Sequence, residues 1–195
     1  MRLNIPFSLL LSILLFVACK QEKKEPKTIL KNPKIETTSE PQKKILSPHT
    51  SSMAMIGGAH IHIDYSSPGV RGRIIFGGLL AYNQLWQAGA HKATWIETNK
   101  DLIIDGKILP IGKYGFFTIP SRDEWTVIFN SNWDQHGKDE YDEKNDVLRF
   151  KVKPKKLNKI TEHLEYKVGK VSSNEGTISL AWEKVFVSFN FKVNQ

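Results

Sequence analysis

The stretch AHIHIDY, residues 59–65, decides the fold class. Its apolar side chains (Ala, Ile, Ile, Tyr) occupy every second position, and two histidines and an aspartate lie between them. A period of two is typical of a β-strand that buries one face and exposes the other. We therefore predict a strand here, with His60, His62 and Asp64 on its outer face.

Seven further stretches of the chain have the composition of strands and are separated by turn signals. Asp105-Gly106, between two apolar runs, predicts a hairpin with a type I′ turn. Only LLAYNQLW (79–86) has a spacing compatible with a short helix. The seven predicted strand regions are 93–98, 102–109, 114–120, 125–130, 147–154, 161–168 and 177–193. Eight or nine short strands predict an all-β fold for residues 47–195, an antiparallel, jelly-roll-like β-sandwich.

Residues 1–18 are predicted to be a secretion signal. An apolar run from Ile5 to Ala18 follows Arg2, and it is shorter than the roughly 20 residues that a membrane-spanning helix needs. It ends in FVAC, and Cys19 is the chain's only cysteine. This pattern resembles the bacterial lipoprotein signal, in which the cysteine is acylated, for example with palmitate. The alternative is a plain secretory signal with a spare thiol.

Residues 19–46 are predicted to be a lipidated, flexible tether. Residues 20–46 contain eight lysines, four glutamates, three prolines and no aromatic residue, too little apolar surface to form a core. Of the formal charge of +8, this segment carries +4 and Arg2 carries +1, which leaves +3 for residues 47–195. The basic excess therefore suits anionic lipid headgroups and gives no reason to expect a nucleic-acid partner.

Several blocks of the domain, taken in order, resemble one known family. They are SPH (47–49), IDYSSPGVRGRIIFG (63–77), WQAGAHKAT (86–94), YGFFTIP with EWTVIFN (114–130), YDEKNDVLRFKV (141–152) and LAWEK (180–184). Together they closely resemble the DUF2911 family of exported bacterial proteins of unknown function. The resemblance implies an exported, mostly β domain without an assigned activity. Gln87 and His91 stand where the family pattern has arginine and asparagine.

Two loops are the predicted ligand surface. In YSSPGVRGR (65–73), exposed amides with Arg71 or Arg73 could hold a carboxylate, phosphate or sulfate; the alternative is a strand-to-strand corner with solvated arginines. In WQAGAHKAT (86–94), the small residues suggest either a pocket floor or a tight entry into the next strand. The candidate ligand-binding residues are Tyr65, Arg71, Arg73, Trp86 and His91, and the ligand could be a small molecule, a glycan or a protein.

His60 and His62 are also candidate metal ligands. Two imidazoles two residues apart on a strand are about 6.6 Å apart at the backbone and can converge on one metal. Asp64, His91 or His136 could be a third or fourth ligand. The alternative is the ordinary polar face of an antiparallel strand. A divalent transition metal is thus one option, and no cofactor is required.

The sequence favours a binding protein over an enzyme. It contains no Gly-x-Ser-x-Gly motif, and its one cysteine belongs to the predicted signal. We therefore predict a non-catalytic binding or structural module of the cell envelope, anchored to the bilayer through acylated Cys19. Lys20 follows the cysteine in place of aspartate. By resemblance to known lipoprotein sorting rules, this predicts the outer membrane, and the sequence leaves open whether the protein faces the periplasm or the medium. The alternative function is a metal-dependent, cupin-like enzyme that uses His60 and His62.

Overall fold

The computed structural model describes residues 45–194. Cys19 and the predicted secretion signal lie outside the described residues, as does nearly all of the predicted tether. Apart from a 3-10 turn at Glu143–Asn145, the regular structure of residues 45–194 consists of ten strands. They are β1 (His49–Ile56), β2 (Ala59–Ser66), β3 (Thr94–Thr98), β4 (Leu102–Ile104), β5 (Lys107–Leu109), β6 (Gly112–Ile119), β7 (Trp125–Asn130), β8 (Asp146–Val152), β9 (Lys155–Lys170) and β10 (Glu175–Val193).

The ten strands form two antiparallel sheets. The larger sheet has the order β1-β2-β3-β6-β7-β8, and the smaller has the order β5-β4-β10-β9. Their inner faces share one core of buried side chains, in which Trp125, Trp182 and Phe191 are among the largest. The predicted all-β, antiparallel sandwich is confirmed, with ten strands in place of eight or nine.

Strand β2 shows how the sequence pattern produces the sandwich. Ala59, Ile61 and Ile63 are fully buried against the smaller sheet, and the polar residues between them face outward and are half-buried. Burying a side chain of this size contributes roughly 1.5–3 kcal/mol. A register slip of one residue would place the histidines in the core, so the alternation fixes the pairing of β2 with its neighbours.

Strand β1 was not predicted, because its hydropathy pattern is inverted. Its outer face carries the exposed Met53 and Met55, whereas Ser52 and Ala54 are on its half-buried inner face. What defines the strand is its hairpin with β2. Gly57 and Gly58 have φ values of +58° and +76°, as a two-residue type I′ turn requires.

The helix considered for residues 79–86 is absent, and turns occupy the segment instead. Asn83 has a left-handed φ of +60°, which interrupts helical hydrogen bonding. The backbone N–H groups of Asn83 and Trp86 donate to Pro120 and Thr118, at 2.7 and 2.8 Å, so the segment docks along β6. Tertiary contacts thus replace the local ones. In the described part of the chain, no helix is long and apolar enough to cross a membrane.

A small second cluster covers part of the outer face of the larger sheet. Phe117 and Ile128 are fully buried there and pack with Ala93 under the loop that follows β7. Tyr141 closes this cluster, and its hydroxyl donates to Asp146 at 2.9 Å. Burial, reinforced by that carboxylate, raises the pKa of Tyr141 well above its usual range. The loop is thereby held against the sheet.

Strands β9 and β10 form a long hairpin that is broken by β-bulges. The register shifts between Ala181 and Glu183 and again between Glu183 and Val185. Glu183 has a φ of +55°, a conformation that few non-glycine residues adopt. A bulge bends its strand and redirects a side chain. Here it directs Glu183 and Lys184 into the cleft described below.

Candidate functional site

The two arginines of the predicted anion loop have different roles. Arg73 donates from Nε to the carbonyl of Val70 at 3.0 Å and from Nη2 to that of Gly69 at 2.7 Å. Its guanidinium therefore holds the corner together. Arg71 is exposed, and its backbone N–H donates to the Glu162 carboxylate at 2.8 Å. These contacts support the strand-to-strand corner, with Arg71 alone free to meet a ligand.

Tyr65 is buried beneath β9. Its hydroxyl accepts a hydrogen bond from the backbone N–H of Tyr166 at 3.2 Å, and the two rings are 4.7 Å apart in an edge-to-face arrangement. Burial raises the pKa of both phenols. Tyr65 thus connects the two sheets, and only its margin borders a shallow depression that also contains His49 and His163.

The WQAGAHKAT segment is a tight corner. Trp86 is buried and stacked on Trp182 at 5.7 Å, and its indole N–H donates to the Gly89 carbonyl at 3.1 Å. A Cβ at Gly89 would lie 2.6 Å from Thr94 Oγ1. The Ala88 carbonyl accepts from both Thr94 and Tyr166, at 2.9 and 2.7 Å. Small residues are therefore needed for close packing, and the segment does not form a pocket floor.

The three candidate metal-binding histidines do not form one site. His60 and His62 lie together on the outer face of β2, with ring centroids 6.0 Å apart. His91 is exposed in the corner, with a φ of +61°, and its carbonyl accepts from Gly137. Across residues 45–194, no group of three histidine, cysteine or acidic side chains is placed to hold a metal. A cupin-like centre needs three or more such ligands, and of the three candidates the described residues bring together only His60 and His62.

A different cleft, which we name the basic cleft, lies beside the β10 bulge. It has a volume of about 400 Å³. Phe76, Tyr82 and Trp125 form its apolar wall, and Glu183 is its one acidic residue. Four basic side chains also line the cleft: Arg122, Lys155, Lys156 and Lys184.

Charge distinguishes the basic cleft. Among the described residues, none of its four cations takes part in an ion pair. The Arg122 guanidinium lies 5.0 Å from the centre of the Tyr82 ring, and this stacking holds it in place. Several unpaired cations around one concave space favour an anion, because an incoming oxyanion relieves their mutual repulsion.

The sequence pattern did not predict the basic cleft, because its residues come from four separate parts of the chain. The lysines from Lys151 to Lys159 alternate as in an edge strand, and this pattern predicts solvation. The bulge that brings Lys184 beside Lys155 has no local signature in LAWEK. The only local signal that the sequence offers is the presence of basic residues in the short loop before β7 and at the start of β9.

Comparisons with known proteins give one match. The profile of the DUF2911 family, described as a protein of unknown function, matches residues 47–191. No curated protein and no solved structure matches the chain. The match covers nearly all of the sandwich, including the corner, the basic cleft and the β2 histidines. The chain therefore belongs to the DUF2911 family of proteins of unknown function.

Proposed function

We propose that this chain is a non-catalytic binding module of the bacterial cell envelope whose basic cleft takes the anionic group of a small ligand. The observation that carries the proposal is the set of four unpaired cations around one concave space of about 400 Å³. The lining contains one carboxylate and no histidine, a composition suited to recognition of charge more than to proton transfer.

The shape of the cleft restricts the ligand class. Tyr82, which is partly exposed, offers an apolar surface in the same cleft as the lysines. A phosphate, sulfate or carboxylate borne on a sugar-sized body would meet both surfaces, since such pockets combine apolar area with a few placed polar groups. Inorganic phosphate, sulfate and glucuronate represent the three kinds of anion.

Anchoring is proposed from the sequence. An acyl chain on Cys19 contributes about 0.8 kcal/mol per buried CH₂, and the lysines of residues 20–46 add attraction to anionic headgroups. Changing Cys19→Ser should move the protein from the membrane fraction to the soluble fraction of a bacterial host and abolish incorporation of labelled palmitate. Retention of label in that variant would contradict lipidation at Cys19.

The binding test uses the charge of the basic cleft. The variant Arg122→Gln/Lys155→Gln/Lys184→Gln removes three cations. Each surface ion pair is worth about 0.2–1 kcal/mol, so removing three should lower the affinity for the anion by roughly 3- to 150-fold. Calorimetric titration with phosphate, sulfate and glucuronate at low ionic strength measures this loss, and added salt should weaken binding to the parent.

The matched control removes the same charge elsewhere. Lys144, Lys159 and Lys170 are exposed and lie outside the cleft lining. Replacing all three with glutamine should change the affinity less than twofold. Equal loss in the two triple variants would show that net charge alone attracts anions, and the proposal would fail. Absence of binding to all three probes would also contradict it.

A further inference from the structure

We propose that the hairpin formed by β1 and β2 binds one soft monovalent metal ion, Cu⁺ or its analogue Ag⁺, through thioether and imidazole groups. The site lies on the outer face of the larger sheet and shares no residue with the basic cleft, so it does not depend on the function proposed above. We name it the hairpin site, and its ligands are Met53, Met55, His60 and His62.

The register of the hairpin brings these side chains together. Met55 is paired with His60, and Met53 with His62. In a two-residue hairpin, the pair that closes the turn is hydrogen-bonded, and here that pair is Ile56 and Ala59. The two Met–His pairs are therefore non-hydrogen-bonded pairs, whose Cα atoms are about 4.5 Å apart and whose side chains approach most closely.

The two imidazoles are at a suitable separation. Their ring centroids are 6.0 Å apart. Two imidazoles on one metal, each nitrogen about 2.0 Å from it, have centroids roughly 4.5–6.3 Å apart, depending on the angle at the metal. The observed separation lies within this range, so both imidazoles can bind one ion.

His62 points independently to a ligand. Its Nε2 atom is shielded from solvent and, within the described residues, has no hydrogen-bond partner. Such an atom is costly to leave unpaired, and a bound cation would satisfy it. Access requires a neighbouring side chain to turn aside. Met53 and Met55 are 57% and 61% exposed, so their flexible thioethers are free to turn toward a bound ion.

The donor set selects a soft ion. Thioethers favour Cu⁺, whereas Zn²⁺ prefers imidazole and thiolate ligands, and Mn²⁺ and Mg²⁺ prefer the oxygens of carboxylates, carbonyls and water. Asp64, two residues further along β2, is already engaged by His49 at 2.9 Å. The absence of three-ligand groups noted above concerns imidazole, thiolate and carboxylate donors among residues 45–194, and thioethers are a fourth class.

A nearby cation at the hairpin site disfavours a divalent ion more than a monovalent one. The Trp95 ring lies edge-to-face with His62 at 4.9 Å. On the same ring, the Lys113 ammonium lies 3.4 Å from the centroid, and it is also 3.7 Å from the centroid of Trp133. This fixed cation lies one ring away from His62, so it repels a divalent ion about twice as strongly as a monovalent one. The Glu97 carboxylate, on the strand beside His62, is exposed.

The test measures Cu⁺ affinity by competition with a chromogenic Cu⁺ chelator under reducing conditions. All proteins are the full chain in mild detergent and carry Cys19→Ser, because the only thiol would otherwise bind the ion. We expect one Cu⁺ per chain. The variant Met53→Leu/Met55→Leu keeps the size and apolar character of both side chains and should bind at least tenfold more weakly.

Two controls make the outcome decisive. His136→Gln removes an exposed imidazole elsewhere and should leave Cu⁺ affinity unchanged. Thermal unfolding of the methionine variant should match that of the parent, because both side chains are exposed. In methyl-labelled protein, Ag⁺ should shift the methyl resonances of Met53 and Met55 but not that of Met1. Cu⁺ affinity that survives the methionine changes, or Zn²⁺ bound as tightly as Cu⁺, would overturn the proposal.

Discussion

The tight corner at Gly89 allows one steric contact to be tested quantitatively. In Gly89→Ala, the new Cβ would lie 2.6 Å from Thr94 Oγ1 and 3.4 Å from the Ser66 carbonyl oxygen. Both Gly89 and Thr94 are buried, so neither side of the contact can move into solvent. Gly89 is not among the residues with positive φ, and its backbone therefore tolerates alanine. The cost of the substitution is one of packing.

The magnitude follows from three contributions. Overpacking costs about 1–3 kcal/mol, and displacing Thr94 weakens its hydrogen bond to the Ala88 carbonyl, worth about 1 kcal/mol. Replacing glycine with alanine lowers the conformational entropy of the unfolded chain, and this raises the free energy of unfolding by about 0.5 kcal/mol. We expect Gly89→Ala to lower the free energy of unfolding by about 2–3 kcal/mol.

A second substitution isolates the contact. Thr94→Ala alone should cost about 1 kcal/mol, because the Ala88 carbonyl keeps the Tyr166 hydroxyl at 2.7 Å. It also removes the atom that the new Cβ meets. The double variant should therefore be no less stable than Gly89→Ala alone, and the two changes should be strongly non-additive.

Urea unfolding followed by tryptophan fluorescence measures these differences, with the m value expected to stay constant. Gly72→Ala is a control that has no atom within 4 Å of its Cβ, so it should show only the cost of its positive φ. If the effects of Gly89→Ala and Thr94→Ala add, the steric explanation of the corner is refuted.

Three further predictions concern stability. Burial raises the pKa of Tyr166 in the folded state. The neutral phenol therefore stabilises the fold at pH values below the unfolded pKa of about 10, and this stabilisation is lost as the pH rises from there through the folded pKa. Tyr166→Phe should flatten that alkaline loss in urea titrations, and an unchanged slope would contradict the assignment. Glu183 has a φ of +55°, which glycine adopts at lower cost than alanine. The free energy of unfolding of Glu183→Gly should therefore be about 1 kcal/mol higher than that of Glu183→Ala, and equal values would exclude strain there. Gly57→Ala places a Cβ 3.1 Å from Asn174 Cα at positive φ, so its melting temperature should fall further than that of Gly72→Ala, where space is open.

Much of the fold was predictable because burial acts on local pattern. The alternation of β2 and the Asp105-Gly106 turn both occur as predicted, with φ values of +51° and +72° at the turn. Strand β1 was not predictable in this way. Its apolar methionines face outward and its inner face is small and polar, so only pairing with β2 reveals it.

The candidate sites were less predictable, since they depend on residues distant in sequence. The hydrogen bonds of Arg73 and the stacking of Trp86 on Trp182 are tertiary contacts, and they turn two predicted ligand residues into parts of the framework. The basic cleft requires the bulge at Glu183, which no local motif encodes. The sequence correctly predicted that the β2 histidines share one face. It did not predict the methionines beside them, because these lie on β1, which was not predicted as a strand.

Amide chemical-shift mapping tests the central claim most directly. Isotope-labelled protein is titrated with phosphate, sulfate and glucuronate, and the shifted amides are located on the sandwich. We expect saturable shifts concentrated at Arg122, Lys155, Lys156 and Glu183. They should be lost in the Arg122→Gln/Lys155→Gln/Lys184→Gln variant and retained in its matched control. Shifts spread evenly over the exposed lysines, or confined to the corner at Arg71, would contradict it.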